Sequence, residues 1–190
     1  MAVIARNNPV GVDFKIDKLQ TYIYNKLVTN GTWMDYECYA RANKNSRGDN
    51  IIPEVSEDPS NYREVLFSDK FNATSFIVTD DNVDFTFQDE GLVVHPFGLI
   101  FQVKLDKIYT TVTGHRADEE LHVELTKTLT QMPTGIVNDW FGYVIGVDNV
   151  YSDLSIGDFG GGDEAFDDLS EYHIVRYNGQ FVYNFDECNF

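Results

Sequence analysis

His115, Asp118, Glu119 and His122 crowd one short stretch, and theirs is the spacing in this sequence best suited to chemistry. On a helix, Asp118 and His122 are four apart and share a face, which would allow an acid–base couple or a pair of metal ligands. The pattern is not the HExxH of a zinc hydrolase. Carboxylates in a first helical turn also answer the partial positive charge of free backbone N–H groups. The cluster Arg116, Asp118, Glu119 and Glu120 is therefore read as a helix start and a candidate subunit contact. His95 and His173 have no partner nearby in sequence and are read as structural.

Two further stretches gather oxygen ligands: Asp158 to Glu164 (DFGGGDE), and Asp80, Asp81, Asn82 and Asp84. Neither has the ordered ligand positions and closing glutamate of an EF-hand, so an acidic loop and a tight turn are the readings adopted. Gly160 to Gly162 lacks the lysine of a phosphate loop, and its carboxylate neighbours would repel phosphate. No Gly-x-Ser-x-Gly, no useful Cys/His pair and no nucleotide fingerprint is present. The sequence thus predicts no enzyme, with no catalytic, cofactor-binding or metal site. Cys38 and Cys188 lack zinc-type spacing; a pairing between them stays open, and both are read as free thiols in a reducing compartment.

The elements that must carry these residues are organised around Leu99 to Leu129. Leu99, Phe101, Val103 and Leu105 recur with period two, and Ala117, Leu121, Leu125 and Leu129 recur every four residues. A strand and a helix that each own an apolar face are expected to bury those faces together. A first helix is predicted from Asp17, with Asp17 and Gln20 as a capping pair, Ile16, Leu19, Ile23 and Leu27 on one face, and Asn30-Gly31 as its stop. Strands are predicted at Trp33 to Ala42, half-buried, and at Ser75 to Thr79, Val83 to Phe87 and Trp140 to Val147, the last of them buried. Asn178-Gly179 between Tyr172–Tyr177 and Gln180–Phe185 predicts a C-terminal hairpin with a type I′ turn. The expected fold is one α+β domain over 1–190: a mostly antiparallel sheet on two main helices, with an N-terminal arm (1–12), long loops (43–59 and 152–169) and that hairpin.

Global composition narrows the function. A chain of 190 residues with 43% hydrophobic residues can bury a core, and its net charge of -17 opposes any grip on phosphate backbones. Arg176 is the one basic residue between Asp153 and Glu187. No apolar run has the length of a signal peptide h-region or a membrane span.

The order of the segments IDKLQTYIYNKL, MDYECYARA, IIPEV, LIFQVKL, RADEELHVELTKTL, WFGYVIGVDNVYSD and EYHIVRY resembles neck and tail-completion proteins of tailed bacteriophages. It is most similar to the tail-terminator-like ring proteins of crAss-like phages. The resemblance implies a virion protein, assembled in the host cytoplasm, whose homo-oligomeric ring joins other neck, portal or tail proteins around the DNA path. Asp158, Asp163, Glu164, Asp167 and Asp168 are then the candidate channel-facing or interface carboxylates, past which DNA moves without specific binding. An acidic DNA mimic that blocks a DNA-binding host enzyme is the alternative, and a calcium-dependent binding module a third.

Overall fold

The computed structural model describes residues 9–29, 31, 33–47, 50–58, 61–65, 67, 70–79, 92–151 and 171–184. Helix α1 (Val12–Thr29) starts ahead of the expected Asp17, because Gly11 at φ +60° turns the chain directly into it. Its buried stripe is Val12, Ile16, Leu19, Ile23 and Leu27, and Gln20 lies on that stripe instead of capping. Gly31, at φ +73°, closes the end by donating its N–H to Val28 O at 3.0 Å.

After β1 (Tyr36–Arg41) the chain forms β2 (Asn43–Arg47), β3 (Asn50–Asp58) and β4 (Asn61–Glu64), which make a three-stranded antiparallel sheet. The long loop expected over 43–59 is thus sheet over 43–47 and 50–58. Its strands are polar and are held by backbone pairing, such as Asn45 opposite Ile52 and Val55 opposite Arg63, so side-chain periodicity gave no sign of them. The remaining elements are β5 (Ala73–Thr79), β6 (Leu92–Lys104), α2 (Leu105–Ile108), α3 (Asp118–Thr130), β7 (Asp139–Ile145), α4 (Val147–Val150) and β8 (Tyr172–Asn184). The strand expected at Val83 to Phe87 lies outside the described residues, as do positions 1–8 of the arm.

The main sheet has the order β1-β5-β6-β8-β7, with β1 and β5 parallel and every other pair antiparallel. This is the expected α+β architecture. Leu99, Phe101, Val103 and Leu105 share one core with Leu121, Leu125 and Leu129 of α3 and with the stripe of α1. The opposite face is covered as well: Tyr39, Phe76, Val78, Ile100 and Ile174 pack with Val55 of the small sheet and with Val150 and Tyr151. Strand β1 is accordingly buried on both faces over Tyr36 to Tyr39, not half-buried.

The C-terminal strands pair antiparallel as β7 and β8, but no turn occurs at Asn178-Gly179. Residues 172–184 are one strand, with Asn178 opposite Gly98 and Gly179 opposite Phe97. The pair serves close packing. A Cβ on Gly179 would stand 2.8 Å from Asp139 O and 3.0 Å from the Phe97 ring, and one on Gly98 would stand 2.3 Å from Arg176 Nε. Asn178 Oδ1 in turn accepts from Arg176 Nε at 2.8 Å and holds the guanidinium across Gly98. Glycine inside a strand marks such a close approach as readily as it marks a turn.

Burying both faces of the sheet traps polar groups, and two glutamines satisfy them. Gln102 Oε1 accepts from Phe67 N at 3.0 Å and Thr74 Oγ1 at 3.1 Å, and its Nε2 donates to Tyr151 Oη at 2.8 Å. On the helix-bearing side, Gln20 Nε2 donates to Tyr39 O at 2.7 Å, while its Oε1 accepts from Ser75 Oγ at 3.1 Å. The buried Cys38 is a free thiol, pushed up to about 12 by burial and so held protonated.

Replacing Gln102 by Leu strips three groups of their partner and is expected to cost about 3 kcal/mol in chemical denaturation. Gly179→Ala is expected to cost about 2 kcal/mol, because the nearest obstacle is a backbone carbonyl that cannot swing aside. Both values are read as shifts in the urea midpoint at constant slope.

Candidate functional site

Helix α3 begins where the sequence placed its polar cluster, and strand β8 completes it. Ala117 at the N-cap makes no side-chain cap bond, while Asp118, Glu119 and Glu120 fill the first turn. The carboxylate of Glu120 bonds to its own backbone N–H and accepts from His115 Nε2 at 3.2 Å; these contacts, in that order, lower its pKa. The acidic residues therefore work on the helix end from inside the turn, in place of a capping residue before it.

Arg116 reaches His173 of β8, with Nη2 at 3.2 Å from Nδ1, and His173 Nε2 stands 2.9 Å from His122 Nε2. Donor chemistry orders this chain. A guanidinium can only donate, so His173 Nδ1 is the acceptor and its proton sits on Nε2. That proton points at His122 Nε2, which leaves the His122 proton on Nδ1, 4.0 Å from Glu119 Oε2. His173 is held down to about 4 by burial first, then by His122 and Arg116, with Asp118 opposing. Neither the His122–His173 pairing nor its link to Arg116 has a signature in sequence, since strand and helix meet only in the fold.

Beside the pair runs β7, expected as a buried strand and found at the sheet edge. It pairs with β8 alone among the described strands. Phe141 is 64% exposed, Tyr143 45% and Ile145 46%. A continuous apolar run reads the same for a central and an edge strand, so its length and composition could not decide. The bulge between Trp140 and Gly142 explains the outward Phe141, because the extra residue has no partner on β8. Trp140 turns inward onto Phe97 at 5.4 Å, and Tyr143 lies over His122 at 4.8 Å. The candidate subunit contact Arg116 to Glu120 and the exposed edge are therefore neighbours through the histidine pair.

The other candidate residues, Asp158, Asp163, Glu164, Asp167 and Asp168, lie outside the described residues, as do Asp80 to Asp84. Among the described residues no three His, Cys, Asp or Glu side chains gather in a way that could hold a metal ion. No described helix is long and apolar enough to cross a membrane.

No protein-family model matches this chain, and no curated protein matches it in sequence.

The histidine pair sets a pH response. The folded His173 titrates near 4 and an unfolded histidine near 6.5, so between these values the unfolded chain binds the extra proton. Stability is thus lost as pH falls through this window and levels off below it, by up to about 3 kcal/mol from this group. Denaturation of wild type and His173→Gln across pH 4 to 7 checks it: the difference between the two curves should be largest in slope inside that window and flat above it.

Proposed function

We propose that this protein is a structural subunit whose β7 edge and α3 start form a subunit contact, and that it assembles as a ring around the DNA path of a tailed phage. The observation that carries the assembly reading is the exposed apolar edge strand. An edge presents unpaired backbone groups, and folds ordinarily blunt it with lysine, proline or a cover. Here the edge displays Phe141, Tyr143, Val144 and Ile145, all exposed. Such a strip is suited to addition of a strand or a packed face from a second copy. Closing a ring requires that this patch meet a different patch on the next subunit, which an edge strand against another surface provides.

The ring and its place in a phage neck or tail rest on the sequence resemblance and on charge. With 31 acidic against 14 basic residues, a surface of this protein beside DNA would repel it and let it slide. The DNA-mimic reading draws on the same charge, but gives no role to an exposed apolar strand.

Native mass spectrometry of the full chain separates the two: the ring reading expects a high-order oligomer, the mimic a monomer or dimer. Phe141→Lys with Val144→Lys, both at exposed positions, should shift the oligomer to monomer without loss of fold. A wild-type protein that stays monomeric at tens of micromolar, alone and with its virion neighbours, would overturn the assembly reading. For the channel, neutralising Asp158, Asp163, Glu164, Asp167 and Asp168 together should slow DNA ejection from assembled particles, and unchanged ejection would remove those residues from the lumen.

A further inference from the structure

On the far side of the sheet from β7, a cavity of about 320 Å³ opens between the end of α1 and the start of β1. Its walls include four aromatic rings, Tyr24, Trp33, Tyr36 and Phe71, and two carboxylates, Asp35 and Glu37. Tyr24 stacks on Tyr36 at 6.1 Å, and Trp33 stands edge-on to Tyr36 at 5.2 Å. Ring faces are negative and carboxylates more so, and none of the described residues that line the cavity is cationic. The fold already keeps one guanidinium against two of these residues: Arg63 pairs with Glu37 at 3.3 Å and lies 5.6 Å from the Phe71 ring, which leaves Asp35 as the lining carboxylate open to a second cation.

Asp35 lines the cavity and is exposed, with φ +55°, in the left-handed region that aspartate enters more readily than most non-glycine residues. Asn72 holds it, donating its backbone N–H to Asp35 O at 3.0 Å and its Nδ2 to Met34 O at 3.4 Å. These bonds fix the Asp35 backbone beside the aromatic cavity, so the main chain needs little ordering on binding.

We propose that this cavity receives an arginine side chain presented by a basic partner protein. A guanidinium is planar, sheds water more easily than an ammonium, and can lie on aromatic faces while its fork meets a carboxylate. The source follows from charge: a chain this acidic presents few cations of its own and attracts basic surfaces.

Titration of the full chain with acetyl-Gly-Arg-Gly-amide, followed by NMR, tests this. The expected result is saturable shifts confined to the Trp33 indole and to residues around 24–37 and 71, with no binding of the neutral citrulline analogue. Asp35→Asn, which tolerates the same left-handed backbone, should weaken binding at least fivefold, and Tyr24→Leu should weaken it as well, an effect that loss of charge alone does not produce. Absent binding, equal binding of the citrulline peptide, shifts spread over the acidic surface, or unchanged affinity in Asp35→Asn would each overturn the proposal. An Asp35→Asn variant with a lower oligomeric mass and unaltered peptide affinity would assign the cavity to a second copy, and the basic partner would be excluded.

Discussion

Strand β6 is hydrogen-bonded on both sides over residues 97–103 and covered on both faces, and the rest of the fold answers that enclosure. Every polar group on such a strand must find a partner inside the protein, since water has no access. The backbone is satisfied by β5 and β8, and Gln102 is satisfied through Phe67, Thr74 and Tyr151. Pro96, which cannot donate, falls beyond the last described β5 partner, where Thr79 pairs with Phe97, and among the described residues its strand partner is Gln180 of β8. Position along the strand and pairing are thus matched residue by residue.

The helices are tied to this sheet by long-range polar contacts as much as by leucines. Glu124 of α3 accepts from Trp33 Nε1 at 3.0 Å and from Tyr109 Oη at 2.5 Å, joining the entry to β1 with the segment after α2. Lys15 Nζ donates to Gly135 O at 2.7 Å and Tyr22 Oη to Thr128 O at 3.2 Å, which link α1 to the last turn of α3 and to the segment that follows it. Such bonds are directional where apolar packing is not, so they fix the rotation of α3 about its axis. That rotation is what brings His122 onto His173 and sets the acidic first turn beside the exposed β7.

Charge and the apolar edge act over different distances. A net charge of -17 keeps copies of the chain apart over distances near the Debye length, while the apolar edge acts only at contact. Association through β7 then requires geometry good enough to overcome repulsion, which disfavours indiscriminate pairing of edges. The aromatic cavity by Asp35 has the opposite preference, setting ring faces beside an exposed carboxylate where a cation would be welcome.

The pairing of the Leu99 strand with the Leu121 helix, and the stripe of α1, were legible from periodicity alone, because amphipathic patterns are local records of which face is buried. The polar strands β2 to β4 were not, because backbone pairing holds them and leaves no side-chain rhythm. Asn178-Gly179 misled for a related reason: the dipeptide permits a turn, and only the crowding by Asp139, Phe97 and Arg176 shows that it serves close packing. The polar cluster at Arg116 to Glu120 was visible as composition, yet its partner His173, the edge position of β7 and the cavity at Asp35 each depend on residues brought together from distant segments. Sequence by itself determined the buried stripes of α1, of α3 and of the Leu99 strand, where the pattern is amphipathic; the tertiary structure decided that β1 is covered on both faces and that β7 stays open, since that choice is made by contacts between elements and not within them.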